Sequence, residues 1–156
     1  MKWFGILLLQ AAFGLWGLYR AQQLRQRAAD LRELCAAFSL LREEIGWRQA
    51  EYTAILAAHG EQPFFVRWAR AGGPVGQGCM QAAGELALSP ADKALLREFA
   101  TQAGKTDRAG QLALLERTCT RLEEQAKEAK EESKSQGRVQ LAVALCLGGV
   151  AGLLLL

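Results

Sequence analysis

Residues 24–58 read LRQRAADLRELCAAFSLLREEIGWRQAEYTAILAA, and the periodicity of this stretch decides the fold. Apolar residues fall at Leu24, Leu31, Phe38, Ile45 and Tyr52, in steps of seven, while Leu34, Leu41 and Ile55 fill most positions three further on. Arg27 and Arg48 interrupt that second position. Such a seam runs along one side of a helix and must be covered by a partner. No proline falls between 20 and 62, so the spacing predicts one long helix continuing to about Ala58. His59-Gly60 then ends it, with Gly60 in the left-handed cap and His59 a last-turn cation or surface residue.

Downstream, helix signals come in shorter blocks. Pro63 opens a helix through Phe64, Phe65, Val66 and Trp68, which Gly72-Gly73-Pro74 stops. Residues 75–88 read as a helix weakened by Gly76, Gly78 and Gly84. Ser89-Pro90-Ala91-Asp92 is a strong start signal, with Ser as the N-cap, Pro as the first helical residue and Asp three residues on. Leu95, Leu96, Phe99 and Ala103 make one face of that helix, and Gly104 closes it. Asp107 caps the last helix, where Leu115, Cys119, Leu122, Ala126, Ala129 and Ser133 repeat at three and four. Its opposite face, 123–134, alternates in charge like a solvated surface. The fold class is all-α: a helical bundle with long heptad-patterned helices.

The ends differ from the middle. Residues 3–19 and 139–156 are uncharged runs of 17 and 18 positions, holding 13 and 14 apolar residues. Each matches a short transmembrane helix, which divides the chain into an anchor (1–19), a helical domain (20–138) and a C-terminal span (139–156). Tyr19-Arg20 stands where a signal peptide would carry small cleavage-site residues, so the first run reads as an uncleaved anchor. Arg20, Arg25 and Arg27 follow the first run, and Lys127, Lys130, Lys134 and Arg138 precede the second. That asymmetry predicts a cytoplasmic middle. Gly148 and Gly152 form a Gly-x-x-x-Gly pair suited to helix packing in lipid, although glycine is also simply common in such helices.

Composition excludes most chemistry. Nineteen basic residues against 16 acidic ones, without a block of one sign, argue against nucleic acid as a partner. Four cysteines, Cys35, Cys79, Cys119 and Cys146, lack metal-ligand or redox-motif spacing, and there is a single histidine. Gly72-Gly73-Pro74-Val75-Gly76-Gln77-Gly78 is the one glycine-rich loop. Cys79 follows its last glycine where a phosphate-binding loop would carry Lys, so it reads as a helix-to-helix connection. No cofactor, no metal and no enzymatic activity are expected.

Within the first long helix, Arg27, Leu31, Arg32, Leu34, Ala37, Leu41, Glu44 and Ile45 are followed by an aromatic at Trp47. A second block has Gly104, Asp107 and Gln111, followed by Leu115 and Leu122. In this order and spacing the chain resembles the stage III sporulation protein AB family of endospore-forming bacteria over nearly its whole length. It departs from that pattern at Ala28-Ala29, Arg42, Trp47 and Glu51, where the family often has Pro-Arg, Glu, Tyr and Pro. The resemblance implies a subunit of the channel complex joining mother cell and forespore, seated in the mother-cell membrane. It further implies a soluble domain similar to that of type II secretion platform proteins. The implied partners are the cytoplasmic ATPase, stage III sporulation protein AA, and the other channel subunits. The alternative is a membrane-anchored coiled-coil scaffold that self-associates as a homo-oligomer through its seam, without an ATPase.

Overall fold

The seam beginning at Leu24 forms the interior of the domain. Leu31, Leu34, Phe38, Leu41, Ile45, Tyr52 and Ile55 are all buried, and Leu24 at the base is half-buried. The computed structural model describes residues 2–48 and 51–153, with the side chains of 14–48, 51–136, 139 and 143. Among these, helices account for all the regular structure: α1 (Lys2–Arg48), α2 (Tyr52–Ala58), α3 (Pro63–Ala71), α4 (Val75–Gly84), α5 (Pro90–Gln102) and α6 (Arg108–Leu153). The all-α expectation holds.

The expected single helix to Ala58 is corrected. α1 ends at Arg48, Glu51 is extended (φ −75°, ψ 153°), and α2 starts afresh at Tyr52. Across the fold, Arg108 donates from Nε to the carbonyl of Ile45 (3.2 Å) and from Nη2 to that of Gly46. A cation beside these carbonyls suits the negative end of the helix dipole. The seven-residue step from Ile45 to Tyr52 carries the seam across the break. Gly60 is a second correction: the left-handed glycines among the described residues are Gly72, Gly73 and Gly104. The end of α2 is closed instead by the His59 N–H donating to Ile55 and the Gln62 N–H donating to His59, each at 3.1 Å.

The shorter helices follow their sequence signals, except that α4 stops at Gly84 and residues 85–88 of the expected helix lead into the turn before α5. Ser89 and Asp92 form the full reciprocal cap: Ser89 Oγ accepts from the Asp92 N–H (3.2 Å), and Asp92 Oδ2 accepts from the Ser89 N–H (2.8 Å). Asp107 Oδ1 accepts from the Gly110 N–H (3.1 Å) at the start of α6. The glycines of α4 are packing devices: a Cβ at Gly76 would overlap the carbonyl of Ala100, and one at Gly78 would lie 2.8 Å from the carbonyl of Gly72. α4 thereby lies flat against α5 and the end of α3. An aromatic cluster fills the space behind α1, with Phe38 edge-on to Phe99 (4.8 Å) and Phe64 edge-on to Trp68 (5.7 Å).

α1 and α6 run antiparallel and form the spine. Arg27 meets Glu132 near one end, and Gly46 faces Leu112 near the other. Among the described residues no helix is long and apolar enough to cross a membrane. The first uncharged run, 3–19, lies within α1, and of the second only 139–153 lies within the described helix α6. Gly148 and Gly152, singled out for packing in lipid, lie outside the described side chains.

Candidate interaction surface

The spine has two ends, and the residues singled out from the sequence divide between them. At the end nearer the termini, Arg27 grips Asp92 through Nε (2.8 Å to Oδ2) and Nη2 (3.1 Å to Oδ1), while Nη1 reaches Glu132 (3.3 Å). One guanidinium thus ties α5 and α6 to α1. Burial alone would push the Asp92 carboxyl up, but its bonds from Arg27 and Ser89 hold it below the usual carboxylate range. Beside this clasp, the buried Asp30 accepts from the Ala87 N–H (2.7 Å) and from Gln26 (2.9 Å). The turn between α4 and α5 is fastened to α1 by that bond.

At the other end, the α1–α2 break meets the turn between α5 and α6. Gln111 is buried there and organises the turn. With its Nε2 donating to Tyr52 Oη (2.6 Å), its Oε1 accepts from Thr106 Oγ1 (2.7 Å) and from the N–H groups of Gly104 and Thr106 (3.2 Å each). Gly104 supplies the positive φ (76°) that the turn requires. Ile45, Tyr52, Val75, Gly104, Arg108 and Gln111 line most of an open cleft of about 510 Å³ beside this node. Gln111→Ala is expected to lower stability by about 1–3 kcal/mol, since it strands several loop donors at once. A urea melt of the full chain in detergent, with Tyr52→Phe expected to cost less, checks this.

The geometry gives most sequence-singled residues structural work. Leu31, Leu34, Leu41 and Ile45 are core, and Glu44 is half-buried and meets His59 Nε2 (3.3 Å) and Arg48 (3.5 Å). Gly104, Asp107 and Gln111 build the α5–α6 turn, and Arg27 builds the clasp. Arg32 and Trp47 differ: both are exposed, Trp47 at 87%, on the side of α1 away from the core. Sequence reading missed Asp30, Arg108 and the tertiary role of Asp92. A charge standing in an apolar seam, as Arg27 does, was a usable sign of a buried counter-charge; Asp30 and Arg108 carried no such sign.

The cleft is poor ground for chemistry. Burial pushes the Tyr52 hydroxyl up to about 12, and His59 is not among the lining residues. Burial likewise raises the thiols of Cys35 to about 11 and Cys79 to about 12, and that of Cys119 above its ordinary value. All three therefore stay protonated at neutral pH and pack as small apolar groups. Among the described residues no three His, Cys, Asp or Glu side chains gather as metal ligands.

The family model described as stage III sporulation protein AB matches residues 2–65 and 73–156. No curated protein and no solved structure matches the chain.

Proposed function

The chain belongs to the stage III sporulation protein AB family, which implies a sporulation-related role, and on that premise we propose a non-enzymatic membrane platform subunit. In this reading it is held in the mother-cell membrane by both terminal runs, with 20–138 in the cytoplasm. There it docks the stage III sporulation protein AA ATPase within the mother cell–forespore channel complex.

The antiparallel register of the spine carries the proposal. Pairing of Arg27 with Glu132 and of Gly46 with Leu112 brings Tyr19 level with about residue 139, so both uncharged runs leave the domain at one end. Around that level Leu15, Trp16, Leu18, Tyr19, Val139 and Val143 are all exposed, an apolar surface that water penalises and lipid accepts. The cations flanking both runs suit the cytoplasmic face. The stretch from Arg20 to Arg48 then stands the Gln111 end about 40 Å off the bilayer, at 1.5 Å per helical residue. Self-association through the heptad seam, the rival reading, lacks a free seam, because the chain's own α2–α6 cover it.

Thr53 is exposed at the far end and suits a topology test. A Thr53→Cys chain should resist alkaline extraction from membranes and react with an impermeant maleimide only after the cells are permeabilised. Labelling in intact cells, or release by alkali, would overturn the topology. Failure of the wild-type chain to retain the purified ATPase would overturn the platform reading.

A further inference from the structure

We infer that the outward face of α1, from Arg25 to Trp47, is the docking surface, and that it receives an acidic amphipathic helix of a partner protein. The inference rests on the platform reading and names the face which that reading leaves open. Arg25, Ala29, Arg32, Ala36, Leu40, Glu43 and Trp47 recur at intervals of three and four, and so share one side of the helix, opposite the buried seam. All are exposed except Leu40, which is half-buried. The side measures about 33 Å at 1.5 Å per residue and, Leu40 apart, is open among the described residues.

Its chemistry selects the occupant. Ala29 and Ala36 on its midline allow a second helix to approach closely. Arg25 and Arg32 make no ion pair among the described residues, whereas Arg27, Arg48, Arg67 and Arg121 each do. Two free guanidinium groups seven residues apart match carboxylates at the same interval on an incoming helix. At the far end Trp47 offers a large aromatic anchor of the kind that dominates interfaces once covered. Glu43 stands one turn before it, so the partner is acidic toward the membrane end and apolar at the level of Trp47. A second copy fits poorly: two chains in one membrane related by a two-fold axis along its normal would set Arg25 against Arg25 and Arg32 against Arg32.

The test uses the full chain in nanodiscs and the purified stage III sporulation protein AA ATPase as probe. Wild-type binding should weaken at least tenfold in Trp47→Ala and in the double variant R25E/R32E, while R25K/R32K retains most affinity. Melting curves should not change, since these side chains are exposed. The wild-type affinity should also fall with added salt, and the R25E/R32E affinity should not. Undiminished binding by both disruptive variants overturns the docking face and leaves the platform reading standing. Absence of wild-type binding overturns both. Loss of chain-to-chain crosslinking in the variants, with ATPase binding intact, identifies the occupant as a second copy and overturns the acidic partner.

Discussion

Phe38→Asp unfolds the helical domain. Phe38 is fully buried at the middle of the seam, 4.8 Å from the Phe99 ring and 6.3 Å from Phe64. Truncating a buried Phe costs about 3–5 kcal/mol through lost contacts and the cavity left behind. The new carboxylate adds a desolvation cost, and the Phe99 and Phe64 rings beside it donate no hydrogen bond. The sum approaches or exceeds the roughly 5–15 kcal/mol that holds an ordinary domain together. In the full chain in detergent, the 24–132 region should become open to limited proteolysis and its cooperative melt should vanish. Phe38→Leu should keep both. An unchanged melting temperature in Phe38→Asp would mean that the seam is not the core.

Arg27→Ala is expected to have the next largest effect, for a different reason. The Asp92 side chain is 0% exposed, and Arg27 supplies two of its hydrogen bonds. Removing one partner of a buried pair costs about 3–5 kcal/mol, because the remaining charge stays desolvated and uncompensated. For a domain of this size that lowers the melting temperature by roughly 10–20 °C. The double variant R27M/D92N should be more stable than Arg27→Ala alone, since it removes the stranded charge. The pH dependence has a definite sign. Asp92 is held below its unfolded value, so its contribution is present above about pH 4 and is lost as pH falls through the folded pKa. Without Arg27, only the bonds with Ser89 oppose the burial of the carboxyl, and protonation relieves the desolvated charge. The gap between wild type and Arg27→Ala should therefore narrow on acidification. A constant gap from neutral pH to pH 3 would show that the clasp acts through packing alone.

The outward face of α1 and the cleft were less legible than the fold. Arg32 and Trp47 are distinguished only by their exposure, and periodicity alone cannot tell an outward aromatic from one tucked under a neighbouring loop. The cleft beside Gln111 was hidden for another reason. It joins the α1–α2 break, the α3–α4 turn and the α5–α6 turn, which lie far apart in the chain. Gln111 itself lies next to a seam position of α6, and its burial depends on Tyr52 arriving from 59 residues away.

By itself the sequence determined what depends on helical period and on contacts within one turn. The seam of Leu31, Phe38 and Ile45 is such a feature, as are the Ser89–Asp92 cap, the Asp107 start of α6 and the stop at Gly72-Gly73. Each rests on a 3.6-residue repeat or on a side chain reaching its own backbone about three residues away, so local order suffices to specify it. Tertiary structure alone decided that Arg108 binds the carbonyls of Ile45 and Gly46, because it lies 63 residues downstream of Ile45. It also decided that Arg27 belongs in the seam, through Asp92 on α5, and that Gly76 and Gly78 are demanded by the nearness of α5 and α3 rather than by any turn. These outcomes depend on which distant group fills an unmet hydrogen bond or an open space, and that is settled only when the packed helices bring the groups together.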